Sequence, residues 1–160
     1  MLAHGERGIE RHEDFDLRQV VEEELSAIQP TAQRYGVHAM IAGGPSPVRG
    51  DRVLIGRLVA NLLRNDVLYN HRGGTVRVHT ASAGLSVSNT GPVLEQADVE
   101  ALFEPFRRGH GRDRRSGTGE GLSLSIVRSI AHAHEGTATA VANPQGGLTV
   151  TIKLTAAQDS

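Results

Sequence analysis

Along residues 17–28 apolar positions recur at helical spacing: Leu17, Val20, Val21, Leu25 and Ile28 fall on one side, with Glu22 to Glu24 towards water. Pro30 and Gly36 bracket the end of this first helix. A short strand is predicted over residues 37–41, and Gly43-Gly44-Pro45-Ser46-Pro47 reads as a loop. Asp51 is an N-cap candidate for a second helix. Leu54, Leu58 and Leu62, with Ile55 and Val59, form its core stripe, and Arg57, Asn61, Asn65 and Tyr69, spaced by four, share another face. Val76 and Val78 then alternate with Arg77 and His79, and residues 85–89 alternate again, which predicts an antiparallel hairpin.

Residues 92–119 are mostly aperiodic, with room for a short helix around residues 96–103. Leu122, Ile126, Val127 and Ile130 mark a third helix, ending near His134-Glu135-Gly136. Two last strands, residues 137–142 and 148–154, join through Asn143-Pro144-Gln145-Gly146-Gly147, and Leu148, Val150, Ile152 and Leu154 face inward. Three helices and about five strands predict a two-layer α/β sandwich. A loop as long as the third connection is usually a lid or binding loop. Residues 1–13 read as a linker, 14–155 as the domain and 156–160 as a frayed tail.

Composition narrows the function classes. At 160 residues the chain is one domain with room for a sizeable core. Its 17 basic and 18 acidic residues give a net charge of −1, so nothing global calls for nucleic acid or a membrane surface. Aromatic residues are 3% with no Trp, which argues against base-stacking platforms. The absence of Cys excludes disulfides, thiolate zinc sites and thiol nucleophiles. No apolar run approaches a membrane span and the start lacks a signal-peptide core, so the expected location is cytoplasmic.

Four boxes follow in fixed order: Asn61-Leu62-Leu63-Arg64-Asn65, Val87-Ser88-Asn89-Thr90-Gly91-Pro92, Leu102-Phe103-Glu104-Pro105-Phe106 and Gly117-Thr118-Gly119-Glu120-Gly121-Leu122. Each alone is weak. Asn61 and Asn65 fit an ordinary solvated helix face. Asn89 has the strand parity of Leu85 and Val87, so it should point inward, where a buried amide needs partners. The alternative for it is a capped strand end. The glycines run into a helix N-terminus, which suits phosphate, yet no Lys-Ser/Thr follows as in a P-loop and no strand precedes as in a Rossmann turn. The basic segment from Arg107 to Arg115 could be solvated or meet a polyanion. In this order and spacing, over residues 14–154, the boxes resemble the ATP-binding catalytic domain of bacterial sensor histidine kinases. That domain belongs to the wider ATPase family of gyrase, Hsp90 and MutL.

The resemblance implies a Bergerat-type fold, with about three helices on a mixed five-stranded sheet and a long lid, binding ATP and Mg²⁺. Asn65 would give its amide oxygen to Mg²⁺, and a neutral oxygen suits that ion when phosphates and waters fill the other positions. Asn61 stands where hydrolytic relatives carry a water-activating Glu; an amide accepts no proton, which favours phosphoryl transfer. Asn61 and Asn65 are therefore the catalytic candidates, and both would also bind the nucleotide. Tyr69, Asn89, Gly91 and Leu94 would border the nucleotide, although core packing is the default for a lone Tyr. Arg108, Gly117, Thr118, Gly119, Gly121 and Leu122 would meet the triphosphate, with Phe103 and Phe106 holding the lid or docking it on the partner helix.

Departures from the family pattern carry information too. Relatives usually have Asp at position 89, accepting from the adenine amino group; Asn keeps the acceptor without the charge. The Asn-Thr-Gly-Pro run is similar to a subset of actinobacterial sensor kinases, and vancomycin-resistance sensors include Asn examples. Asp66 replaces a common Ala, Leu68 a Lys or Arg, Val93 a Gly and Glu120 an apolar residue. Together with Asn89 these changes are expected to weaken ATP binding at least tenfold, about 1.4 kcal/mol. The phosphoacceptor motif is not matched beyond His12-Glu13, and His132 and His134 read as surface or structural residues. The implied partners are a dimerisation domain carrying the phosphoacceptor histidine and a response regulator, with no nucleic acid and no membrane contact by this domain. The parent receptor would be anchored in the plasma membrane. The alternatives are a degenerate nucleotide-sensing or protein-binding domain of the same fold, and an anti-sigma-factor serine kinase, against which Asn61 counts.

Overall fold

The computed structural model describes residues 9–104 and 124–157. Its elements are β1 (Glu13–Asp16), α1 (Leu17–Tyr35), β2 (His38–Gly43), β3 (Pro47–Gly50), α2 (Arg52–Leu68), β4 (Thr75–Ala81), β5 (Gly84–Asn89), α3 (Gln96–Ala101), α4 (Ser125–Ala133), β6 (Thr137–Ala142) and β7 (Leu148–Lys153). Five strands form a mixed sheet in the order β2-β4-β5-β7-β6; β2 runs parallel to β4 and the remaining pairs are antiparallel. Helices cover one face. Along β4, Val76, Val78 and Thr80 are buried while Arg77 and His79 are exposed, the alternation of a sheet solvated on its other side. Leu85 and Val87 on β5, and Leu148, Val150 and Ile152 on β7, complete the sheet's share of the core. The two-layer sandwich expected from periodicity is the architecture found, with the short α3 as a fourth helix.

Capping fixes where the helices begin. Asp16 Oδ1 accepts from the Arg18 N–H at 3.0 Å and from the Ser46 N–H at 2.8 Å, tying the start of α1 to the loop before β3. Asp51 caps α2 as expected, accepting from the Val53 and Leu54 N–H groups at 3.0 and 3.2 Å. The first helix ends at the far side of its expected bracket. It passes through Pro30 and stops at Gly36, whose φ of 70° closes it in the left-handed conformation. Pro30 is exposed, so the carbonyl it leaves unpaired faces water, while Leu25 and Ala32 keep the buried stripe on either side.

Other differences come from long-range pairing. Glu13, read as the last linker residue, opens β1, which pairs antiparallel with β3 in a separate two-stranded sheet. Ala156 bridges to Val48 and the Ala157 N–H donates to the Pro47 carbonyl at 3.2 Å, so pairing continues past residue 155. The β6 edge is covered by α3: Gln96 donates to the Ala140 carbonyl at 3.3 Å and accepts from the Ala142 N–H at 3.0 Å. Phe103 is buried, and the Arg128 guanidinium lies 3.8 Å over its ring. His134 is structural and buried. Its Nε2 accepts from the Asp51 N–H at 3.0 Å, so its Nδ1–H donates to the Ile130 carbonyl at 2.8 Å, joining α4 to the start of α2.

Candidate functional site

The C-terminal half of α2 carries two kinds of surface. Leu58, Leu62 and Leu63 are fully buried against the sheet, whereas Asn61, Asn65 and Tyr69 climb one side at half burial. Asn61 donates its Nδ2 to the Arg57 carbonyl at 3.0 Å, one turn back, which directs Oδ1 away from the helix backbone. Tyr69 ends the helix, its N–H donating to the Asn65 carbonyl at 3.0 Å. Its hydroxyl is buried with no hydrogen-bond partner among the described residues.

Asn70 ties this helix end to the sheet. Its Nδ2 donates to the Thr75 carbonyl at 3.0 Å, and its Oδ1 accepts from the Thr90 hydroxyl at 2.7 Å. Thr90 Oγ1 in turn accepts from the Thr75 N–H at 2.9 Å. Asn89, the preceding residue, faces inward as its strand parity requires and accepts from the Leu148 N–H through Oδ1 at 2.7 Å. Asn143 supports the same corner by donating to the Asn89 carbonyl at 3.3 Å. Gly147, at φ 89°, allows the β6–β7 turn to reach that corner; a Cβ there would collide with the Asn89 carbonyl. Gly91 stands between this turn and Tyr69, and an added Cβ would sit 3.6 Å from Gly147 Cα and 3.7 Å from the Tyr69 carbonyl oxygen. Leu94 is half-buried and packs against the core.

One further residue of α2 stands out, four residues beyond Leu62 on the core stripe. Asp66 is only 5% exposed, on the core face of α2. Its Oδ2 has no hydrogen-bond partner among the described residues, and burial pushes its carboxyl well above the usual carboxylate range. The corner at Asn89 holds Asn70, Thr90 and Asn143, which link segments far apart in sequence; Thr90 lay in the second box and Asn143 in the last turn, but neither was singled out. Thus α2, β5 and the β6–β7 turn bring Asn65, Tyr69, Asn89 and Gly91 to one end of the sheet. Arg108, Gly117, Thr118, Gly119, Gly121 and Leu122, with Phe106 and Glu120, lie outside the described residues.

The donor set suits a magnesium nucleotide. An amide oxygen such as that of Asn65 can serve Mg²⁺ where phosphates and waters fill the other positions. Two orphaned polar atoms, Asp66 Oδ2 and Tyr69 Oη, leave hydrogen-bonding capacity for a polar ligand. No helix among the described residues is long and apolar enough to cross a membrane.

Residues 50–158 match the model of the histidine kinase-, DNA gyrase B- and HSP90-like ATPase family. The sensor protein CutS of Streptomyces coelicolor is 38% identical over 159 residues, covering 96% of this chain and 38% of its own length. The sensor-like histidine kinase SenX3 of Mycobacterium tuberculosis is 32% identical over 149 residues, covering 89% of this chain and 36% of its own. This chain therefore spans little more than a third of these relatives. The solved structure of the mycobacterial sensor histidine kinase MprB superposes with a TM-score of 0.74 at 26% identity, covering 89% of this chain and 96% of that one. The chain belongs to the histidine kinase-, DNA gyrase B- and HSP90-like ATPases, in the form carried by the catalytic domains of sensor histidine kinases.

Proposed function

We propose that this domain binds Mg²⁺·ATP at the corner between α2, β5 and the β6–β7 turn, and presents its γ-phosphoryl to a histidine on a separate dimerisation domain. A response regulator would then receive the phosphoryl group. The observation that carries this reading is the convergence of Asn65, the Tyr69 hydroxyl, which has no partner among the described residues, and Asn89 at one end of the sheet, in a chain of ATPase family membership. Asn65 would hold the metal through its amide oxygen, and Asn89 would orient the base. Asn61, an amide where hydrolysis needs a base, leaves water without a proton acceptor on this helix face. Mg²⁺·ATP supplies the transferable group and spreads its charge over the ion; the domain's own work is positioning and exclusion of water. The parent protein would be a membrane-anchored receptor with this domain on its cytoplasmic side.

Affinity should be modest. The oxygen of Asn89 already accepts from Leu148 and carries no formal charge, and a hydrogen bond to a charged acceptor is typically about 1 kcal/mol better. The test pairs a calorimetric ATP titration, with and without Mg²⁺, with phosphotransfer to an added dimerisation hairpin. Magnesium-dependent binding and acid-labile phosphohistidine on the hairpin are expected. ATP binding without any phosphohistidine would leave a nucleotide-sensing domain and remove the kinase claim for this chain.

A further inference from the structure

We propose that Asn70 and Thr90 form a positioning pair that presets the span of the nucleotide site, holding the end of α2 at a fixed distance from the strand end that carries Asn89. This rests on the nucleotide reading above and adds two residues that act through their neighbours. Their hydrogen bonding is closed. The Thr90 hydroxyl donates to Asn70 Oδ1 at 2.7 Å and accepts from the Thr75 N–H at 2.9 Å, which fixes its rotor. Asn70 Oδ1 also accepts from the His71 N–H at 2.9 Å, and Asn70 Nδ2 donates to the Thr75 carbonyl at 3.0 Å. Turning the amide over would set its NH2 against that N–H and its oxygen against that carbonyl, so its orientation is fixed as well. The turn into β4 is shaped around the pair: a Cβ on Gly74 would collide with Asn70 Oδ1 and lie 2.5 Å from Thr90 Oγ1.

Chain connectivity says what the pair positions. Asn70 follows Tyr69 and Thr90 follows Asn89, so the bond between their side chains lies one residue from each half of the corner. Asn89 is fastened separately on its other side. Its Oδ1 accepts from the Leu148 N–H at 2.7 Å and its carbonyl accepts from Asn143 at 3.3 Å, which ties it to β7 and the β6–β7 turn. The Asn70–Thr90 bond adds its place relative to α2. A ligand that reaches from Asn89 to Asn65 engages both halves, and a preset span spares it the cost of ordering them. A ligand that meets the Asn89 half alone gains nothing from the pair. The contribution of Asn70 and Thr90 is therefore selective for the complete nucleotide.

The test measures binding to the full 160-residue chain of Mg²⁺·ATP, by calorimetry, and of adenosine, which lacks the phosphates, by ligand-observed NMR. Thermal unfolding verifies that each variant is folded. Thr90→Val keeps the shape and removes the hydroxyl; it should lose about tenfold in Mg²⁺·ATP affinity and less than about threefold for adenosine. Thr90→Ser keeps the hydroxyl and should stay within about threefold of the parent for both. Asn70→Ala should match Thr90→Val, and the double variant should lose no more than the larger single loss, because the two residues act as one unit. Asp16→Ala, which removes the cap of α1, is the control for lost stability and should leave both affinities within about twofold of the parent. Parent-like Mg²⁺·ATP binding by Thr90→Val, equal losses for the two ligands, or additive losses in the double variant would overturn the proposal while leaving the nucleotide site standing. So would a loss in Asp16→Ala as large as in Thr90→Val. A parent chain that binds neither ligand would overturn both readings.

Discussion

Asp66 occupies a helix position whose neighbours one turn away, Leu62 and Leu63, are fully buried. Its ionised form therefore has almost no water to stabilise it, and desolvation raises its pKa from the ordinary value of 3.8. Below that value the carboxyl is protonated whether the chain is folded or not, and its ionisation does not oppose folding. As pH rises further, the unfolded chain releases the proton and the folded one retains it, so stability falls by up to about 1.4 kcal/mol per pH unit. The loss levels off once pH passes the folded value. Asp66→Asn removes this titration. The stability difference between the variant and the parent, from urea unfolding at a series of pH values, should favour the variant increasingly as pH rises above about 4. A difference independent of pH would show that Asp66 is ionised and solvated in the fold. The sequence flagged Asp66 only as a departure from a family pattern. Yet Asp66 continues the spacing by four of Leu54, Leu58 and Leu62, so its burial follows from the helix period as directly as the shared face of Asn61, Asn65 and Tyr69 does.

Among the elements, α1 holds a proline where a helix is penalised. Pro30 lacks the N–H that would bond the Ser26 carbonyl, an interior cost of about 3 kcal/mol. The helix continues because the buried stripe on both sides of the proline contributes more than the break costs. Pro30→Ala should therefore raise the unfolding free energy by about 1–2 kcal/mol, part of the gain being offset by a freer unfolded chain. The measurement is the urea midpoint at unchanged slope. A lower midpoint would mean that the proline sets a bend on which packing depends. The three longer helices and most of the five main strands were legible because each carries its own period over several residues. The β1–β3 pair was not: Glu13–Asp16 and Pro47–Gly50 are four residues each, too short for a period, and they exist by pairing with each other across α1 and β2.

At the scale of the whole molecule, the corner proposed for the nucleotide is where Asn70 and Thr90 tie the end of α2 to the sheet. A ligand that bonds α2 and β5 at once cross-links helix and sheet and binds only the folded chain. Linkage then requires stabilisation by RT ln(1 + [L]/Kd), about 2.7 kcal/mol at a hundredfold excess over Kd. For a domain of this size that is a rise in Tm of roughly 5–10 °C. A tenfold weaker site gives about 1.4 kcal/mol less at the same nucleotide concentration, so the size of the shift also reports the cost of Asn89 and its neighbouring departures. Magnesium should enlarge the shift in the parent, and Asn65→Ala should abolish that enlargement while retaining the part due to the base. Scanning calorimetry at millimolar ATP, with and without Mg²⁺, distinguishes these cases. A Tm that does not move under any of them would mean that α2 and β5 share no ligand, and the corner would then be a structural joint with two unsatisfied atoms.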